Sequence, residues 1–140
     1  MNKIQYIKEK MFGCLYGQAI GDALGLGSEF MSKDEVLKNY PDGLKNYDQI
    51  IQDAHRRRWA KGAWTDDTDM MLCILEGFEN GRFNSNQVAS NFKDWFNGEP
   101  MGIGSHTYKV CVWETMLNIL RCAQNYGGTC PANRVRQTEP

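Results

Sequence analysis

Five consecutive residues, Thr65-Asp66-Asp67-Thr68-Asp69, gather three carboxylates and two hydroxyls into little more than one helical turn. Oxygen donors of this kind are hard ligands, suited to Mg²⁺ or Mn²⁺. So much negative charge in one place is unfavourable unless water or a cation offsets it. A second account needs no metal. Thr65 or Asp66 serves as a helix N-cap, its side-chain oxygen accepting from an unpaired backbone N–H, and acids in a first turn complement the helix dipole. Two further acids bear on the choice. Asp22 lies among small residues and Glu29 follows shortly after it. Each is either a solvated or hydrogen-bonded carboxylate, or a group facing the acidic cluster.

The elements that must position these groups read as helices. Residues 3 to about 26 form the first, with Gly13, Gly17, Gly21 and Gly25 along one stripe. Each glycine costs a helix about 1 kcal/mol relative to alanine, which makes sense if another backbone approaches closely there. Ala19 and Ala23 extend the small surface, and Leu15, Leu24 and Leu26 add apolar bulk. Ser32 with Glu35 forms a capping box ahead of a short helix, and Pro41-Asp42-Gly43 is a turn. Residues 44–63 lack a period and read as a long loop or short helical pieces. Within them, His55-Arg56-Arg57-Arg58-Trp59 is either a solvated face or a patch facing phosphate or carboxylate.

After the acidic motif, Met70, Met71, Ile74, Leu75 and Phe78 recur as a buried helical face, with Asn80-Gly81 as the stop. Asn84 or Ser85 caps the next helix, which carries Val88, Phe92, Trp95 and Phe96 and ends at Asn97-Gly98-Glu99-Pro100. The loop Met101-Gly102-Ile103-Gly104-Ser105 then feeds a last helix bearing Val110, Trp113, Leu117 and Leu120. Two glycines at a helix N-terminus suit an anion, although a plain turn explains them as well. No strand pattern or repeat is evident, so the fold class is all-α. Residues 1–123 belong to one domain, and 124–140 form a polar tail expected to be disordered.

Composition narrows the function. The 140 residues are 41% hydrophobic and 24% charged with a net charge of -1, giving no sign of nucleic-acid or membrane-surface affinity. Five cysteines, odd in number and without a CxxC pair, point to reduced thiols and a cytoplasmic location. Gln18 and Asp22 interrupt the one apolar run near the start, which argues against a signal peptide or a membrane span.

Taken together, Gly13-x-x-x-Gly17-x-x-x-Gly21-Asp22-Ala23-Leu24-Gly25, Glu29, Trp64-Thr65-Asp66-Asp67-Thr68 and Gly102-Ile103-Gly104 resemble the ADP-ribosylglycohydrolase family. The resemblance runs from residue 11 to about residue 120. It implies an all-helical domain with a binuclear Mg²⁺ or Mn²⁺ centre at the base of an ADP-ribose cleft. Thr65, Asp66 and Asp67 would be metal ligands and Glu29 the catalytic acid–base residue. Gly102, Ile103, Gly104 and Ser105 would line the substrate site, and Asp22 would give structural support. The implied activity is metal-dependent hydrolysis of the glycosidic bond between ADP-ribose and a modified protein or other acceptor. Family members take further metal ligands from an Asp-x-Asp-Ser/Thr motif near their C-terminus. Here the last aspartate is Asp94, so this chain matches the N-terminal half alone. The alternative expectation is an inactive ADP-ribose-binding or interaction half-domain, its exposed apolar faces covered by a second chain or by self-association.

Overall fold

The computed structural model of the protein describes residues 2–113. Expectations for Leu117, Leu120 and the tail at 124–140 fall outside the described residues. The chain divides into two compact units, Met1–Gly102 and Ile103–Pro140.

In the first unit, α1 (Lys3–Gly25) starts at Asn2, whose side chain accepts from the Gln5 N–H at 2.8 Å. Helix α2 (Lys33–Asn39) opens with the full capping box. Ser32 Oγ accepts from Glu35 N–H, and the Glu35 carboxylate accepts from Ser32 N–H at 2.8 Å. The loop that follows carries two 3₁₀ turns, Tyr47–Gln49 and Arg56–Arg58. Helix α3 (Asp66–Leu75) then lies against α1 and α4 (Ser85–Asn97), the latter capped by Asn84.

Burial is concentrated in the segment after α1 rather than between long helices. Leu26, Tyr40, Ile50 and Trp59 are buried, and the Tyr40 hydroxyl donates to Gly27 O at 2.9 Å. Arg56 is only 3% exposed. Its guanidinium donates to the carbonyls of Leu26, Gly27 and Glu29 and to the Asp53 carboxylate, so it fixes the turn that leaves α1. A planar five-donor fork can serve that many acceptors at once, where lysine could not.

Three expectations are corrected. The glycine stripe meets no neighbouring backbone among the described residues, because a Cβ built on Gly13, Gly17, Gly21 or Gly25 has nothing within 4 Å. Helix α1 is accordingly not tightly packed there, with only Ala23 buried. Secondly, Asn80-Gly81 does not end α3. Both residues take positive φ (50° and 74°) and form the turn of a short antiparallel hairpin, β1 (Phe78–Glu79) with β2 (Arg82–Phe83). Asn-Gly is the favoured pair for such a turn, since both central residues must be left-handed. Finally, the α3 face is not buried as its spacing predicts. Ile74 is 43% and Phe78 52% exposed, while Thr68 and Cys73 are the buried positions. Phe78 has left the helix and meets Phe83 edge-on across the hairpin.

The glycines differ in what they tolerate. Gly13→Ala should raise stability by up to about 1 kcal/mol, because helix propensity improves and nothing is displaced. Gly27→Ala should lower it by about 1–3 kcal/mol, since its Cβ would press on Leu44 and on Leu24 O at 3.1 Å. Thermal unfolding of the two variants checks both signs.

In the second unit, a helical run begins at 105 and is described through 113. Gly104 O accepts from Tyr108 N–H at 2.9 Å, the first bond of that helix.

Candidate active site

The end of α1 and the start of α3 face one another across an open cleft of about 360 Å³. Gly17, Gly21 and Gly25 form one wall, and Gln18, Asp22, Glu29, Thr65 and Asp67 supply the polar groups. The four glycines that meet no backbone therefore have a different consequence: three of them leave space beside four acidic or hydroxyl side chains.

Asp22 organises the site. Its Oδ2 accepts from Thr65 N–H (2.9 Å), Thr68 N–H (3.1 Å) and the Thr68 hydroxyl (2.6 Å), and its Oδ1 accepts from the Thr65 hydroxyl (2.6 Å). Thr65 is the N-cap of α3, yet its own side chain makes no capping bond. The carboxylate of Asp22, 43 residues earlier, does that work instead, capping the helix across the tertiary structure. Burial by itself would raise the Asp22 pKa, but the four bonds from Thr65 and Thr68 outweigh it and hold the carboxyl below its ordinary value.

Asp67 is perturbed in the opposite sense. Burial, and then the charges of Asp66, Asp22 and Glu29, push its pKa up. Asp66 lies beside Gly102, where an added Cβ would come within 3.0 Å of Asp66 Oδ1. Asp69 points elsewhere: Trp64 Nε1 donates to its Oδ1 at 2.9 Å and Trp95 Nε1 to its Oδ2 at 3.1 Å, tying α3 to α4. Ile103, Gly104 and Ser105 belong to the second unit and are described within it.

As donors, the Thr65 hydroxyl and the carboxylates of Asp66 and Asp67 have the chemistry of hard-cation ligands. Because the Thr65 proton is committed to Asp22, the hydroxyl oxygen keeps its lone pairs for another partner. Among the described residues, however, no group of three or more His, Cys, Asp or Glu side chains is gathered tightly enough to hold a metal ion. The donors present therefore fit part of a coordination shell.

Two further contributors come from the basic run, for which a patch facing carboxylate is one of the two sequence expectations. His55 Nε2 lies 2.7 Å from Glu29 Oε2, and Arg56 binds the Glu29 carbonyl. The basic run was the signal for both, and the structure divides it. His55 and Arg56 face carboxylates and carbonyls, whereas Arg57 is exposed. Phe30, directly after Glu29, holds a left-handed φ of 59°, an uncommon conformation for a bulky residue.

The family model described as ADP-ribosylglycohydrolase matches residues 4–134. The chain is 32% identical over 107 residues to the ADP-ribosylarginine hydrolase Tri1 of Serratia proteamaculans, covering 71% of this chain and 26% of that protein. It is 27% identical over 108 residues to the ADP-ribosyl-[dinitrogen reductase] glycohydrolase of Rhodospirillum rubrum, covering 71% of this chain and 32% of the relative. A protein of Escherichia coli called YegU is 30% identical over 93 residues, 62% of this chain and 27% of its own length. The chain thus spans about a quarter to a third of the length of the curated relatives it matches. No solved structure matches it significantly. No helix among the described residues is long and apolar enough to cross a membrane.

Proposed function

Because this chain belongs to the ADP-ribosylglycohydrolase family, we propose that its Asp22–Glu29–Thr65–Asp67 cleft binds ADP-ribose and serves hydrolysis of the bond between the ribose anomeric carbon and a modified protein or other acceptor. One observation carries the proposal. Residues far apart in sequence, the end of the glycine helix and the Thr-Asp-Asp-Thr turn, line a single cleft of a size suited to a small ligand.

Each group has a role in the reaction. Glu29 accepts a proton from a water whose oxygen bonds to the anomeric carbon. The bond to the acceptor breaks, its electron pair leaves with the acceptor atom, and that atom gains the proton that Glu29 took from the water. Positive charge develops on the ribose in an oxocarbenium-like state. Thr65, Asp66 and Asp67 would hold Mg²⁺ or Mn²⁺, binuclear as in the family. When bound, such an ion orients ribose hydroxyls and activates water. The raised Asp67 pKa supports this assignment, since a crowded set of carboxylates is relieved by a cation. Gly102 is proposed to line the ADP-ribose site, with its proximity to Asp66 in support, and the same role is proposed for Ile103, Gly104 and Ser105 on their resemblance to the family motif alone. A cytoplasmic location belongs to the same proposal.

A second reading is an ADP-ribose-binding half-domain without turnover, completed by another chain. The partial ligand set favours it, as do the exposed Ile4, Ile7, Met11 and Phe12 of α1. Incubating the chain with an ADP-ribosylated protein and Mg²⁺ or Mn²⁺ separates the two. Release of ADP-ribose that stops on addition of a chelator is the expected result. Calorimetric binding of ADP-ribose without release would favour the half-domain, and neither binding nor release would sink both.

A further inference from the structure

We propose that Arg58, His55 and Glu29 form a positioning relay, in which Arg58 fixes the His55 tautomer and His55 holds one oxygen of Glu29 so that the other is presented as base. The proposal rests on the role of Glu29 given above. Its geometry does not.

The tautomer follows from the partners. A guanidinium is always protonated and can only donate, and one of the Arg58 NH₂ groups points at His55 Nδ1. That nitrogen must therefore offer its lone pair. The ring proton is left on Nε2, which donates to Glu29 Oε2 at 2.7 Å. A proton on Nδ1 would set donor against donor at Arg58 and, with Nε2 bare, lone pair against carboxylate at Glu29. The hydrogen bond to a carboxylate is the stronger, charge-assisted kind.

Each member is held from outside the chain of contacts. The Arg58 guanidinium lies 4.5 Å over the Trp59 ring, and its Nε donates to His55 O at 3.0 Å. The imidazole meets Phe30 and Trp59 edge-on, at centroid distances of 5.1 and 5.4 Å. The His55 N–H donates to Asp53 Oδ1 at 3.0 Å. On the other side, buried Arg56 clamps the Glu29 carbonyl, so both backbone and side chain of Glu29 are constrained. With Oε2 engaged by His55, Oε1 is the oxygen left for a water in the cleft. A base oriented by a second side chain, itself oriented by a third, is a recurrent way to fix a proton acceptor.

The experiment has a spectroscopic and a kinetic arm. The chain has two histidines, His55 and His106, so imidazole nitrogen signals of the ¹⁵N-labelled full chain are assignable with a His106→Gln variant. In its neutral form, His55 should show a protonated Nε2 and an unprotonated Nδ1. Arg58→Met should take the donor away from Nδ1, whose nitrogen signal should move downfield, while Nε2 keeps its proton against the Glu29 carboxylate. A proton on Nδ1 of the neutral ring in the unsubstituted chain, or an Nδ1 signal unmoved by Arg58→Met, would overturn the relay.

In the kinetic arm, His55→Leu should lower kcat by about 10²-fold with KM unchanged, the scale of a misplaced catalytic group. His55→Gln, which keeps an N–H donor near the Nε2 position, should restore most of it. A kcat unchanged by His55→Leu, or lowered equally by Leu and Gln, would count against positioning. Glu29→Gln is the control: if it leaves turnover intact, Glu29 is not the base, and the nitrogen signals still decide the relay.

Discussion

Replacing Asp22 by alanine is expected to lower the free energy of unfolding by about 3 kcal/mol, read from urea denaturation at neutral pH. Four hydrogen bonds end on this one carboxylate, two from backbone N–H groups at the start of α3 and two from hydroxyls. Thr68 is almost wholly buried, so its N–H and hydroxyl would be left without their acceptor and with little access to water. Losing a helix cap alone costs about 1 kcal/mol, and orphaning buried donors adds to it. Asp22→Asn keeps an oxygen where three of the four bonds converge and should cost far less. A cost for Asp22→Ala no greater than that of an exposed substitution would refute the capping role.

The same residue predicts an acid dependence. The folded-state pKa of Asp22 lies below its ordinary value of 3.8, because the Thr65 and Thr68 bonds overcome the effect of burial. Its ionic contribution to stability is therefore complete above that value and is lost as pH falls through the lower, folded one. The gap between the unsubstituted chain and Asp22→Ala should be widest near neutrality and narrow in strong acid, below pH 3.8.

Joint substitution of Asp66 and Asp67 by alanine should abolish binding of Mg²⁺ and Mn²⁺ by calorimetry and, with it, any cation-dependent release of ADP-ribose. Two of the three proposed ligands disappear, and a hydroxyl alone does not retain a divalent ion in water. Metal titration that is unchanged in the double variant would end the ligand assignment. Asp67 also gives the opposite sign in stability. Its pKa is raised by burial and then by Asp66, Asp22 and Glu29, so its ionised form weakens the fold as pH rises above 3.8. At neutral pH and with chelator present, Asp67→Asn should be more stable than the unsubstituted chain. The gain should be only a few tenths of a kcal/mol, since the residue is only partly withdrawn from water and its charge is screened. Saturating Mg²⁺ should reverse the order, because an ion bound to the folded state stabilises it by mass action. A site whose metal-free form is less stable with its own residues than with a neutral one is a common sign of function.

The starts of the helices are legible in the residues, because capping signals are local. Ser32 and Glu35 are three residues apart and close a capping box without help from elsewhere. Asn84, the start of α3 after Thr65 and the turn at Gly43 are equally short-range. The acidic turn, Glu29 and the glycine helix were also legible as residue types, and with them the family. What those residues touch depends on distant parts of the chain. Asp22 reaches across 43 residues to cap α3, displacing Thr65 from the local bond its position predicts. The glycine stripe suits the approach of another backbone, but it borders the cleft, since spacing cannot say what stands opposite. Asn-Gly ends a helix or turns a hairpin, and pairing between Phe78–Glu79 and Arg82–Phe83 made the choice. His55 and Arg56 are adjacent in one basic run, yet one meets the Glu29 side chain and the other its carbonyl. Local rules fix backbone conformation over a few residues, whereas the environment of a charge is set by whatever the rest of the chain brings beside it.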